Sequence, residues 1–340
     1  MTIIFFIIGL SLLIIFHEFG HFLAAKKSGL LVEEFGIGFP PRLISKKIGE
    51  TIYSLNLVPL GGFVRIHGEK REAGESEALQ RRSFWFLPVS RRALIIVAGV
   101  AMNFLAGWLL ISSIYIIGAP NAVIISGVTP GTPAATAGLQ AGDRIIGFEK
   151  SSDLIAFVAS AKGKEISLRV TRDGQELELK AVPRLNPPAG QGALGVTLTD
   201  VGLERLPFLT SLKEGWVTSV KILGSIFLSL ANLISGIFVG APVLQNFVGP
   251  VGIFQIANQA SKFGLIYLLQ LIGLISLNLT ALNILPLPAL DGGRLLFLLI
   301  EKIKGSPLNQ KFEIYANAIG FALLLLLMVV ITVRDVVKLF

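Results

Sequence analysis

Residues 1–25 read MTIIFFIIGLSLLIIFHEFGHFLAA. A helix that crosses the hydrocarbon core of a bilayer needs about 20 mostly apolar residues. This stretch provides them, with His17, Glu18 and His21 embedded toward its end. Ionisable groups at that depth are costly unless they pair with one another or ligate an ion. The same segment therefore sets the fold class, membrane α-helical, and marks where chemistry is expected. It lacks a basic leader, and the two histidines and the glutamate sit where the apolar part of a secretion signal would end, so it reads as a retained span.

The rest of the 340-residue chain agrees. Apolar residues make up 53% of it and charged residues 15%, against about 25% charged in soluble domains, which excludes an ordinary soluble enzyme and a disordered chain. The absence of cysteine rules out a disulfide scaffold, a thiolate metal site and cysteine catalysis. Residues 93–119, 263–290 and 315–333 are long and uncharged enough to span as well, giving about four transmembrane helices. Residues 222–240 would make a fifth, but Lys221, Ser225, Ser229, Asn232 and Gly236 recur on one helical stripe. A helix lying in the interface plane, or packed on protein, suits that pattern at least as well as a span.

Charge sets an orientation. Residues 26–92 hold 12 Lys and Arg, as many as the much longer stretch 120–262, so the positive-inside rule puts residues 26–92 in the cytoplasm and both termini and the long middle stretch outside. The net charge of +8 does not point to nucleic acid, because the basic residues of this loop are interleaved with seven acids.

From about residue 122 to 200 the composition turns soluble. Strand-like runs at 123–128, 144–148, 165–170 and 176–182 are punctuated by Pro130-Gly131, Gly138, Gly142 and the hairpin signal Asp173-Gly174. Residues 154–161 read as a short helix. With Thr132-Pro133-Ala134-Ala135 leading to Ala137-Gly138-Leu139-Gln140-Ala141-Gly142-Asp143, this β-rich insert resembles a PDZ domain, a module that binds peptide ends by strand addition. A β-rich module that only packs on the membrane part is the other reading.

The segment His17-Glu18-Phe19-Gly20-His21 is HExxH. Residues i and i+4 share a helix face, so both imidazoles can reach one ion, and Glu18 can reach a water on it. Neutral imidazoles suit Zn2+, which lowers the pKa of bound water to about 7 so that a carboxylate can take its proton. Two histidines leave a catalytic zinc one protein ligand short. Asp291, at the end of the 263–290 run, is the one carboxylate candidate in the remaining apolar segments. Pro286 and Pro288 break the helix just before it, which at membrane depth is tolerated only beside protein or a wet cavity. Polar residues that stabilise helix packing, and a helix cap at Asp291, are the bland alternatives.

HEFGH in the first span, N-x-x-P-x-P-x-L-D-G at residues 283–292 and a PDZ-like insert between them resemble the site-2 protease family, intramembrane zinc metalloproteases, most nearly the bacterial regulators of sigma-E protease type. Softer matches are residues 35–40, 59–64 and 249–252. The resemblance implies that His17, His21 and Asp291 ligate Zn2+ and that Glu18 is the general base. It places Asn283, Pro286 and Pro288 near substrate, together with Gly61, Gly62 and Phe63 of a membrane-reentrant hairpin at about 51–66. It further implies a multi-pass protein of the bacterial inner or plasma membrane, with the active site toward the cytoplasm, that cleaves the transmembrane segments of single-span proteins such as anti-sigma factors and remnant signal peptides. The family's larger members carry two PDZ domains where one fits here. The expected organisation is a first membrane half (1–121) containing the hairpin, the insert (122–200), an interfacial helical region (201–262) and a second membrane half (263–340). A metal carrier would favour two similar membrane halves, which the sequence does not show, and a dead peptide-binding scaffold would be free to lose Glu18 or Asp291.

Overall fold

The computed structural model describes residues 2–69, 76–172, 174–188, 190–238, 248–262 and 264–338; Asp173 of the expected hairpin, Phe263 of the third expected span and residues 239–240 of the interfacial stretch lie outside them. In chain order the elements are α1 (Thr2–Lys27), β1 (Val32–Ile48), β2 (Thr51–Ile66), α2 (Glu77–Gln80), α3 (Val89–Ile117), β3 (Ala119–Val128), α4 (Pro133–Thr136), β4 (Arg144–Ile145), α5 (Ser151–Ser160), β5 (Ile166–Arg172), β6 (Gln175–Ala181), β7 (Val196–Leu203), α6 (Phe208–Phe238), α7 (Pro250–Lys262), α8 (Leu265–Ile284), α9 (Asp291–Lys304) and α10 (Gln310–Val337). The chain divides into two compact units, one made of residues 1–112 with 212–340 and the other of residues 113–211.

The first unit is helical and apolar. Among the described residues five helices, α1, α3, α6, α8 and α10, are long and apolar enough to cross a membrane. Helices α1 and α8 carry apolar side chains on every face, the pattern of a helix whose surroundings are lipid or other apolar helices. Helix α6 is one continuous element of 31 residues, so residues 222–238 of the striped segment are the second half of a longer helix, and only 6% of its most apolar window is buried in the protein. Phe6 and Leu13 of α1, Ala106 of α3, Ala257 of α7 and Leu268 and Ile272 of α8 form one core cluster. Phe22, Ala25, Val32, Phe35, Ile66 and Ile95 form a second, where α1 meets β1, β2 and α3.

Two sequence expectations change here. Residues 51–66 are not a self-contained hairpin turning at Gly61-Gly62. Glu34 faces both Ile52 and Arg65, and Ile37 faces both Leu55 and Gly62, so residues 34–37 lie between the two arms of β2. The tight hairpin is instead the one joining β1 to β2, where Ile48 faces Thr51. The buried carboxylate of Glu34, 2% exposed, explains the arrangement: it accepts from Arg42 at 2.7 Å and from Ser54 Oγ at 2.7 Å, and stands 3.4 Å from Arg65, tying three segments together. Only with that partner set is burying its charge tolerable.

The run 263–290 is likewise not one span ending at Asp291. Helix α8 stops at Ile284, residues 285–290 form an irregular link, and Asp291 begins α9. Pro286 and Pro288 forbid the helix to continue. The link is held by Leu287 N–H donating to Leu285 O at 2.7 Å and by Ala289 N–H donating to Asn317 Oδ1 of α10 at 2.9 Å, and Ala289 itself sits at φ +76°. A Cβ on Gly292 or Gly293 would collide with the carbonyls of Ile284, Leu285 and Leu287, so the paired glycines after Asp291 let the link fold back over the first turn of α9. Asp291 thereby occupies the positive end of that helix, and Lys302 and Lys304 the negative end.

In the second unit five strands form one sheet in the order β6-β5-β4-β3-β7, over a core that includes Val123, Ile125, Ile145, Leu154, Val158, Leu168 and Val170. Strand β7, which the sequence reading passed over, pairs antiparallel with β3 and forms an edge of the sheet. Its strand-favouring run Val196-Thr197-Leu198-Thr199 is followed by Asp200 and Gly202, which masks the strand signal. Asp143, fully buried, is paired with Arg172 at 2.7 Å.

Candidate metal centre

Helix α1 brings His17 and His21 onto one face, and the first residue of α9 meets them. His17 Nε2 stands 3.1 Å and His21 Nε2 3.4 Å from Asp291 Oδ2, and the two Nε2 atoms are 3.2 Å apart. The three ligand atoms thus gather within 4.8 Å of one another. Ligands of a tetrahedral zinc, with bonds of about 2.0–2.2 Å, stand about 3.3 Å apart. The triangle has the size that ion requires. Asp291 Oδ2 is buried and makes no hydrogen bond, which two imidazole lone pairs would not relieve and a cation would. Three protein donors leave the fourth position of such an ion open, as in catalytic rather than structural zinc sites.

Helix α3 forms the back wall. His21 Nδ1 lies 2.9 Å from the carbonyl oxygen of Ile95. One turn on, Gly99 leaves room for the imidazole of His21, against which any Cβ would press. One further turn on, Asn103 Nδ2 lies 3.1 Å from His17 Nδ1. Residues 95, 99 and 103 are spaced by four and so share a helix face. The backbone carbonyl of Asn103 accepts from Ser276 Oγ of α8 at 2.7 Å.

The site opens into a cavity of about 260 Å3, lined among others by Glu18, Phe63, Glu69, Ile96, Leu290 and Arg294. Glu18 therefore faces the same space as the three ligand candidates. Gly62 of β2 lies beside it, since a Cβ there would stand 3.5 Å from Glu18 Cγ. Arg294, one turn after Asp291, reaches Glu69 at 3.3 Å; that carboxylate holds its guanidinium above the ordinary range. A second cavity of about 450 Å3 shares Glu69, Phe84, Ile96 and Arg294 with the first.

Of the residues singled out in the sequence, His17, Glu18, His21, Asp291 and Phe63 line one cavity, and Gly62 adjoins Glu18. Gly61 packs instead against the ring of Phe39. Asn283, in the last turn of α8, and Pro286 and Pro288 of the link are not among the residues lining that cavity. The sequence reading missed Ile95, Gly99, Asn103 and Arg294. An amide in the middle of an otherwise apolar helix was the available signal for Asn103, because a buried polar group there must find a partner.

The sequence pattern of Peptidase family M50 matches residues 5–327. The chain belongs to that family, the site-2 proteases. A Clostridium perfringens protein named as a zinc metalloprotease is 32% identical over 342 residues, with 99% of each chain covered. The regulator of sigma-W protease RasP of Bacillus subtilis is 31% identical over 422 aligned positions, covering all of this chain and 99% of its own. The zinc metalloprotease RasP of Geobacillus kaustophilus matches at 31% over 422 positions, with 98% of its own length covered. The chain is accordingly a zinc metalloprotease and a bacterial membrane protein, built from several apolar helices and an inserted sheet unit.

Proposed function

We propose that His17, His21 and Asp291 hold the zinc, that Glu18 is the general base, and that the enzyme cuts the transmembrane segments of single-span membrane proteins, anti-sigma factors and remnant signal peptides among them. The observation that carries this reading is the triangle of 3.1, 3.2 and 3.4 Å between the three ligand atoms, next to a carboxylate that faces the same cavity.

His17, His21 and Asp291 would hold the zinc, which when bound would supply polarisation of the scissile carbonyl and activation of the attacking water. Glu18, one residue from the first ligand, takes the proton of the attacking water and returns it to the leaving amine. Phe63, Val64, Ile66 and Ile96 supply apolar lining beside the cavity's charged groups. A helical substrate hides its carbonyls in i→i−4 bonds, so it must unwind locally before it can be cut. The glycine-containing arm of β2 runs past Glu18, and its backbone offers the unwound segment a strand to pair with. Asn283 adds a side-chain hydrogen bond to that segment, at the exit of α8.

Orientation follows from charge and from the depth of the site. The basic region 26–92 faces the cytoplasm, and both termini and the sheet unit lie outside. His17 and Asp291 share one depth, so α1 and α8 run inward in parallel. One crossing by α3 between them satisfies this, whereas a crossing by α6 as well would carry Asp291 to the far side; α6 therefore lies in the interface plane. In the sheet unit, a cavity of about 600 Å3 is bounded by Leu154, Ile155 and Val158 of α5, by Val196 and Leu198 of the edge strand β7, and by the glycine-rich residues 190–195. Such a slot beside an open edge suits a PDZ-like capture of peptide ends, by which trimmed substrates are held near the membrane.

Incubating the purified full chain with single-span substrates, with and without a chelator, tests the reading. Cleavage within the span that stops on chelation and returns with zinc is expected; cleavage confined to the flanks, or indifferent to chelator, contradicts it.

A further inference from the structure

The two histidines are held from behind in different ways. His21 turns Nε2 toward Asp291 and His17, and its Nδ1 lies against a backbone carbonyl, Ile95 O at 2.9 Å. A carbonyl can only accept, so this ring is fixed with its proton on Nδ1 and a lone pair on Nε2, the form a metal ligand needs. His17 also turns Nε2 toward Asp291, at 3.1 Å, and needs an acceptor behind Nδ1 for the same reason. The group standing there is the amide of Asn103, 1% exposed, with Nδ2 at 3.1 Å from Nδ1. Its Oδ1 is buried with no hydrogen-bond partner. Two donors cannot share that contact once His17 ligates through Nε2. A half-turn of the amide about χ2 exchanges the two atoms at little steric cost, setting the orphaned oxygen on the Nδ1 proton.

We infer that Asn103 is a positioning residue for the metal: through Oδ1 it fixes the tautomer and the ring plane of His17, as the Ile95 carbonyl does for His21. Helix α3 is built for both tasks. Residues 95, 99 and 103 lie on one face, as acceptor, gap and acceptor, and the Asn103 backbone is pinned to α8 by Ser276. This inference rests on the proposed ligand set.

The test is zinc affinity, read by competition with a chromogenic chelator on the full-length protein in detergent, with the melting curve of the metal-free protein as the check on folding. Asn103→Leu is expected to bind zinc 10- to 100-fold more weakly while the metal-free melting curve stays unchanged. Asn103→Asp, which presents only acceptor oxygens, is expected to bind zinc at least as tightly as the wild type. Wild-type affinity in Asn103→Leu, or an equal loss in both variants, overturns the assignment. Should Asn103→Leu fail to fold, Asn103→Asp decides alone: retained or tighter zinc supports the role, and a loss of more than tenfold refutes it. His17→Ala measured alongside separates the two levels. If it keeps wild-type zinc, the ligand set is wrong and this role falls with it; if it loses zinc while Asn103→Leu does not, only the positioning role fails.

Discussion

Helices α1 and α3 are nearly equal in length, 26 and 29 residues, both apolar, and pressed so closely together that a Cβ on Gly20 would strike the Ala98 carbonyl. In the proposed metal centre they would serve in opposite ways. Helix α1 would supply groups that change protonation or donate lone pairs, and helix α3 places a carbonyl, a gap and an amide against those groups. Reactive side chains announce themselves by residue type and spacing, whereas supporting ones consist of ordinary atoms whose role is only in their placement. Catalysis needs both, because a ligand misplaced by about 1 Å can cost about 10²-fold in rate.

Substitutions on the two helices should differ accordingly. On α1, Glu18→Gln is expected to lower the rate of cleavage by about 10²–10⁴-fold with zinc content unchanged, measured by single-turnover cleavage and metal analysis on the same preparation. A variant that still cuts at the wild-type rate would remove Glu18 from its assigned role. On α3, Gly99→Val adds no charge and removes no ligand, yet it should push the imidazole of His21 off its station. A fall of about 10²-fold in activity, accompanied by weaker zinc retention during dialysis, is expected. Full activity in Gly99→Val would mean that the wall of α3 is not what aims His21.

The sequence exposed one side of this comparison much better than the other. HExxH within an apolar run singled out His17, Glu18 and His21, and the shortage of a third ligand pointed to Asp291 because the apolar segments offered so few carboxylates; the structure brings all four to one cavity. The break before Asp291 was visible in Pro286 and Pro288, but not its consequence, that Asp291 opens a new helix with glycines accommodating the folded-back link. Nor could periodicity show that residues 34–37 insert between the arms of β2, since that depends on Glu34 finding Arg42 and Ser54 from separate segments. Ile95 acts through its backbone, which no residue type reveals. Strand β7 was obscured by polar residues that are acceptable at a sheet edge.

Charge pairs away from the metal form the low end of the scale. Glu50 and Arg82 meet at 2.6 Å in the exposed loop region, and the arginine holds the Glu50 carboxyl below its ordinary value. A lowered carboxylate contributes stability above its unfolded pKa and loses it as pH falls through the folded value. Glu50→Gln should therefore differ from the wild type only on the neutral side of that range, and by little, because solvent screens exposed pairs. Melting curves at pH 7 that separate widely would show that this loop is more tightly coupled to the fold than its exposure suggests, while cleavage activity should not change at all.

The central claim is that residues some 270 positions apart share one ion. Its most direct measurement is the zinc content of the purified full chain beside Asp291→Asn and His17→Ala, each passed over a chelating resin under identical conditions. About one zinc retained per wild-type chain, with retention sharply reduced in both variants, is the predicted result. Zinc held as firmly in Asp291→Asn as in the wild type would contradict it.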